Sequence, residues 1–172
     1  MPKIPFRPSM MKIRRGSIRW IILHHTSELY DSPESHIDNS KYQMGSIFTD
    51  TMIQKEADVN YHYVIDKNKD DYVAVLCRPY VYLCDWPDIH PDINKRALHV
   101  ALLGNYDFVV PPKRLYDVLA YRILNPFIKV FHIPDSHILF HRDISAIEGI
   151  SCPGIFINKE VVRSMTRKYL VK

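Results

Sequence analysis

The run SIRWIIL, residues 17–23, is rich in β-branched and apolar side chains and stops abruptly at His24, His25 and Thr26. That is the profile of a buried central strand which delivers polar side chains at its C-terminal end, where sites are built. ALHVALLG (97–104) reads as a second buried strand, and SHILF (136–140) as a short one leading into His141. YHYVID (61–66) and YVAVLC (72–77) flank the polar KNKDD and predict a hairpin with a loop of that length. Between the strands, Met44, Ile47, Phe48 and Met52 recur at three- and four-residue spacing and predict an amphipathic helix over about 40–56. Leu115, Val118, Leu119, Ile123 and Phe127 continue a second helical stripe from a Pro-Pro start, with Pro126 expected to kink it. Asn158 is placed to cap a last helix through Val162, Met165 and Tyr169. The segment RPYVYLCDWPDIHPDINK (78–95), broken by proline and rich in aromatics, is expected to be a long ordered loop lining a groove. The alternation predicts an α/β fold: a central mixed β-sheet flanked by about three helices.

The chain has 172 residues, the length of one domain. The expected division is a basic, proline-broken arm over 1–16 and a single folded domain over 17–172. The N-terminus lacks the apolar stretch and cleavage site of a secretory signal, so the chain is read as made in a cytoplasm. No apolar run approaches the roughly 18–20 residues that a membrane span needs. Three cysteines, Cys77, Cys84 and Cys152, are an odd number for a disulfide framework and favour thiols or a metal role. The formal charge of +4 suits anionic surfaces, cell-wall polymers and nucleic acid alike, and does not choose between them.

Two predicted strands each hand over directly to a histidine, His24 and His141, and Cys152 lies one loop beyond the second. Two imidazoles and one thiolate make three ligands. Zinc with three protein ligands keeps a fourth position open, the catalytic rather than the structural arrangement. Pro153-Gly154 would fix the exit of the loop that lets His141 and Cys152 reach one ion. The same residues allow a thiol hydrolase of Cys152, His141 and Asp143, although no nucleophile signature surrounds Cys152.

Taken together, IILHHT, NYHYVID, ALHVALLGNYD and HRDIS…SCPG resemble the zinc-dependent N-acetylmuramoyl-L-alanine amidases, the type-2 amidases shared by phage endolysins and peptidoglycan recognition proteins. The resemblance runs from about residue 18 to 158. It implies a mixed sheet with a zinc-bearing groove, a Zn²⁺ cofactor, and His24, His141 and Cys152 as its ligands. Tyr61 matches the tyrosine that the family places beside the zinc water, and His25 is read as a neighbour in contact with substrate rather than a ligand. Trp86 and His90 fall where members contact substrate, the one by stacking and the other by hydrogen bonding, and Asn105, after the strand that ends in GN, is placed with them as a substrate-binding residue that orients its loop.

The implied reaction is hydrolysis of the amide between N-acetylmuramic acid and L-alanine. The implied partner is peptidoglycan, met as a muropeptide by a monomer, rather than a specific nucleic acid. The implied setting is the bacterial cell wall, reached from a phage or prophage gene product. The alternative is a peptidoglycan-binding or structural virion protein without catalysis, against which the intact ligand set argues. Two features depart from the family: Ile150 stands where members commonly carry lysine or threonine, and the loop from His141 to Cys152 is longer. Glu148 is therefore the expected second polar helper, a proton shuttle, with Ser151 next.

Overall fold

A computed structural model of the protein describes residues 12–26, 59–68 and 71–170. The helix expected over 40–56 and residues 1–11 of the basic arm lie outside them. The described strands are β1 (Trp20–His25), β2 (Tyr63–Asn68), β3 (Asp71–Leu76), β4 (Ala97–Leu102) and β5 (Ile138–Phe140). They form one five-stranded sheet in the order β3-β2-β4-β1-β5. β1 lies between two parallel neighbours, with Leu23 opposite Val100 of β4 and Phe140 of β5. β2 runs parallel to β4 and antiparallel to β3, so the sheet is mixed.

The strands run further than the sequence pattern suggested. β1 includes both His24 and His25, because each pairs with β4, at Ala101 and Leu102. The hairpin keeps its pairing out to Asn68 opposite Asp71, so the expected KNKDD loop tightens to two residues. The antiparallel ladder closes on residues that polarity alone assigned to the turn.

Alternation divides the sheet into two faces. Ile21, Leu23, Leu98, Val100, Leu102, Ile138 and Phe140 join the main core with Leu115, Leu119, Ile123 and Val162 from the helices. Ile22 and Ala97 point the other way, towards Ile89, Trp86 and Ile93 of the 78–95 segment. That segment is the expected ordered loop, with one helical turn in it, α1 (Pro91–Asn94). Residues 12–14 of the arm pack on the same segment: Ile13 bridges Tyr82, and Arg14 donates to the carbonyls of Tyr80, Lys95 and Ala97.

The second helical stripe consists of α2 (Lys113–Leu119), a π-helical turn (Ala120–Leu124) and α3 (Asn125–Phe131). Pro126 has no N–H to donate and its ring crowds the preceding turn. The wide turn before it, in which the Asn125 N–H reaches the Ala120 carbonyl, lets the helix continue past the proline. The last helix, α4 (Lys159–Leu170), starts where expected: Asn158 Oδ1 accepts from the Glu160 and Val161 amides at 2.8 and 3.2 Å. No helix among the described residues is long and apolar enough to cross a membrane.

Leu98 is fully buried at the centre of the main core. Leu98→Ala is expected to lower the unfolding free energy by about 2–5 kcal/mol, the usual cost of a cavity in a packed core. Urea titration of the two proteins checks this, and a loss below about 1 kcal/mol would show that this face is not the core.

Candidate metal centre

Parallel strands end at the same edge of a sheet, so His24, near the end of β1, and His141, directly after β5, come out side by side. Their ring centroids are 4.6 Å apart. The chain then loops back. The Arg142 N–H donates to the Cys152 carbonyl at 2.8 Å, and its guanidinium donates to the carbonyls of Ser151, Gly154 and Ile157 at 3.0, 2.7 and 3.2 Å. This staple returns Cys152 to the strand ends, where the His25 N–H points at its Sγ from 3.4 Å. His24, His141 and Cys152 each offer a ligand atom, and the three atoms lie within 4.8 Å of one another. It is the one such group among the described residues, and all three side chains are buried.

The ring orientations suit a shared ion. His141 Nε2 is 2.7 Å from Asp88 Oδ2 and His24 Nε2 is 3.0 Å from His99 Nδ1, while His24 Nδ1 faces Cys152 Sγ at 3.9 Å. In each histidine Nε2 is engaged; Nδ1 of His24 faces the cysteine, and Nδ1 is the nitrogen of His141 that Asp88 does not hold. Burial first, and then the neighbouring His141, hold His24 well below the ordinary imidazole range, so its ring is neutral with a lone pair to give. Burial pushes the Cys152 thiol up to about 12, the opposite of an activated nucleophile. Asp143, the third member of a thiol hydrolase, instead accepts from the Phe140 N–H at 2.9 Å and pairs with Lys159. The arrangement fits a cation-held thiolate and not a Cys-His-Asp triad.

Two members of the cluster, His141 and Cys152, line a cavity of about 380 Å³, and His24 is fully buried beside it. Of the residues expected at the site, His25, Tyr61, Trp86, His141 and Cys152 line it, together with Ile150 and Ser151. Trp86 lies flat on His24, with centroids 4.3 Å apart and planes 21° off parallel, and edge-on to His141 at 5.0 Å. Tyr61 is 5.4 Å from His24. Glu148, His90 and Asn105 are not among the described lining residues. Glu148 is exposed on the long loop, His90 caps α1 by accepting from the Asp92 N–H, and Asn105 accepts from the Asp107 N–H to shape the turn after β4. Local backbone needs, rather than the cavity, account for the last two.

The family model for N-acetylmuramoyl-L-alanine amidase matches residues 14–155. The chain belongs to the N-acetylmuramoyl-L-alanine amidase family. No curated protein matches it in sequence. Its fold is similar to that of a selenomethionine derivative of AmpD, at 16% identity and a TM-score of 0.65 over 95% of this chain and 93% of that one. It is also similar to the amidase LysC from Clostridium intestinale, at 17% identity and a TM-score of 0.60 over 96% of each chain. A third likeness is to peptidoglycan recognition proteins LCa and LCx, whose ectodomain complex was solved with tracheal cytotoxin bound, at 16% identity and a TM-score of 0.59 over 94% and 95%.

Three residues of this amidase-family site escaped the sequence reading. His99 and Asp88 hold the two histidines, and Asp107 holds the cysteine loop by accepting from Ser151 Oγ at 2.6 Å and the Ile155 N–H at 2.9 Å. The signal for His99 was available: an imidazole within the otherwise apolar ALHVALL must have a buried partner. Asp88 and Asp107 stand in loops, where a carboxylate is unremarkable.

Gly154 closes the loop of this family member in a backbone conformation that glycine favours, φ +108°, and a Cβ there would meet the Tyr106 backbone at 2.5 Å. Gly149 is also in the left-handed region, φ +75°, with open space around it. Gly154→Ala is therefore expected to cost well above the roughly 1–2 kcal/mol of the Gly149→Ala change, in which backbone strain acts alone. Chemical denaturation of the pair measures the difference, and equal costs would refute the close packing of Gly154 on Tyr106.

Proposed function

We propose that the chain hydrolyses the amide between the lactyl group of N-acetylmuramic acid and L-alanine in peptidoglycan, with zinc held by His24, His141 and Cys152. The observation that carries this reading is the convergence of those three donors beside a cavity that also presents Tyr61 and Trp86. Two imidazoles and a thiolate suit zinc, and three protein ligands leave a position for chemistry. When bound, zinc lowers the pKa of water towards about 7 and polarises the amide carbonyl, supplying nucleophile and electrophilic assistance.

The remaining work falls to the chain's own residues. Tyr61 donates its phenolic proton in a hydrogen bond to the oxygen that gains charge as the amide carbonyl is attacked, help of roughly 3 kcal/mol for one such donor. Trp86, fixed by the bond from its Nε1 to the Asn60 carbonyl at 3.1 Å, offers an apolar wall for the face of a sugar. His25 borders the same space with a neutral ring, its pKa lowered by burial. Ile150 excludes water but moves no proton. Ser151 has its hydroxyl proton committed to Asp107, and exposed Glu148 receives no role. Family membership supports amide hydrolysis, and the cytotoxin-bound recognition proteins support a muropeptide as the partner.

Purified protein is expected to carry about one equivalent of zinc and to release stem peptides from peptidoglycan sacculi. Zinc with no release would leave a binding or structural protein as the reading. Cys152→Ser should lose most of its metal by elemental analysis, whereas full retention would remove Cys152 from the site.

Tyr61→Phe should keep fold and metal while turnover on a muropeptide falls about 10²–10³-fold, because only the phenolic donor is lost. Unchanged turnover would assign Tyr61 to packing.

A further inference from the structure

We propose that Asp88 is a positioning residue of the metal centre, which fixes His141 in the tautomer that presents Nδ1 to the ion. The proposal rests on the zinc reading above. Asp88 precedes His141 by 53 residues, yet its Oδ2 lies 2.7 Å from His141 Nε2. The two side chains are only 11% and 4% exposed, so little water competes for the bond. An ionised carboxylate can only accept, so Nε2 must carry the proton. In a neutral imidazole the lone pair is then on Nδ1, and Asp88 decides which nitrogen is free for metal.

The carboxylate is itself held. Ser145 Oγ donates to the same Oδ2 at 2.5 Å, the Ala146 N–H donates to the Asp88 carbonyl at 2.7 Å, and Ile89 pairs with Ser145 in an antiparallel bridge. The segment that carries Trp86 is thereby joined to the loop that carries His141. The other histidine lacks this support: His24 Nε2 meets Nδ1 of His99 at 3.0 Å, an imidazole rather than a carboxylate. Of the two histidines, only His141 has a carboxylate bonded behind it, and a carboxylate behind a ligating histidine raises its basicity.

The test measures metal binding rather than turnover. Apo protein is titrated with zinc against a chromophoric chelator, and the cobalt(II) form is followed by its visible spectrum. Asp88→Ala is expected to weaken zinc about 10–100-fold. Asp88→Asn, whose amide oxygen still accepts from Nε2–H, should fall between Ala and parent, with a shifted cobalt spectrum because the charge is gone. Ser145→Ala, which loses the bonds of Oγ to Asp88 and from the Ile147 N–H but keeps the carboxylate behind His141, should bind closer to the parent than Asp88→Asn. Parental affinity in Asp88→Ala would overturn the proposal, as would an equal loss in Ser145→Ala, which would make Asp88 a tether between loops. Should Asp88→Ala fail to fold, an unchanged affinity and cobalt spectrum in Asp88→Asn would overturn it. A parent that binds neither metal would instead bring down the zinc reading itself.

Discussion

Leu23 of β1 lies opposite Phe140 of β5 in parallel register, and the candidate metal centre depends on that pairing. Parallel strands finish at one edge, so the next residues, His24 and His141, emerge together although most of the chain separates them. A slip of one residue would send His24 to the opposite face, among the helices. Apolar packing holds the register: Ile21, Leu23, Ile138 and Phe140 are fully buried against the helical layer. Precision at the polar site is thus supplied by the face of the sheet that carries none of its chemistry.

On the site face the difficulty is reversed, because His24, His62 and His99 are all completely buried. His24 bonds ring to ring with His99, whose Nε2 has no hydrogen-bond partner among the described residues, and the His62 ring is held by backbone groups. The His99 N–H donates to His62 Nδ1 at 2.9 Å, which leaves the His62 proton on Nε2, 2.9 Å from the Tyr82 carbonyl. Burial, with the Arg14 guanidinium next in weight, holds the His62 pKa down to about 3, so the ring is neutral. A file of neutral imidazoles therefore reaches from Arg14 of the N-terminal segment to His24. The loops around the cavity are joined in the same manner, by Asp88 to His141 on one side and by Asp107 to Ser151 on the other.

Much of this was legible in the chain. Unbroken apolar runs identified β1 and β4, the Asn158 cap located α4, and two strand-end histidines with a cysteine one loop later marked three side chains that the fold brings together. Where the reading fell short, the deciding interaction joins residues far apart in sequence. Glu148 was singled out because Ile150 left a role vacant, but Arg142 draws its three carbonyls into a staple that brings Ser151 and Cys152 to the cavity and leaves Glu148 exposed. Asp88 and Asp107 gain their meaning only when two loops meet. His90 and Asn105 were assigned to substrate by their neighbourhood, whereas their side chains are engaged with the nearest backbone amides.

The position of Trp86 has an optical consequence. The chain contains two tryptophans. Trp20 stacks on His137 with centroids 3.8 Å apart at the start of β1, about 13 Å of strand before His24, while Trp86 lies on His24 itself. Indole emission responds to the charge and polarity of whatever touches the ring, so a cation arriving at His24 alters one fluorophore at contact distance and leaves the other as it was. Because both indoles absorb and emit in the same range, a change at the candidate centre appears in the summed emission, with Trp86 as its source and Trp20 as a background that Trp20→Phe would remove.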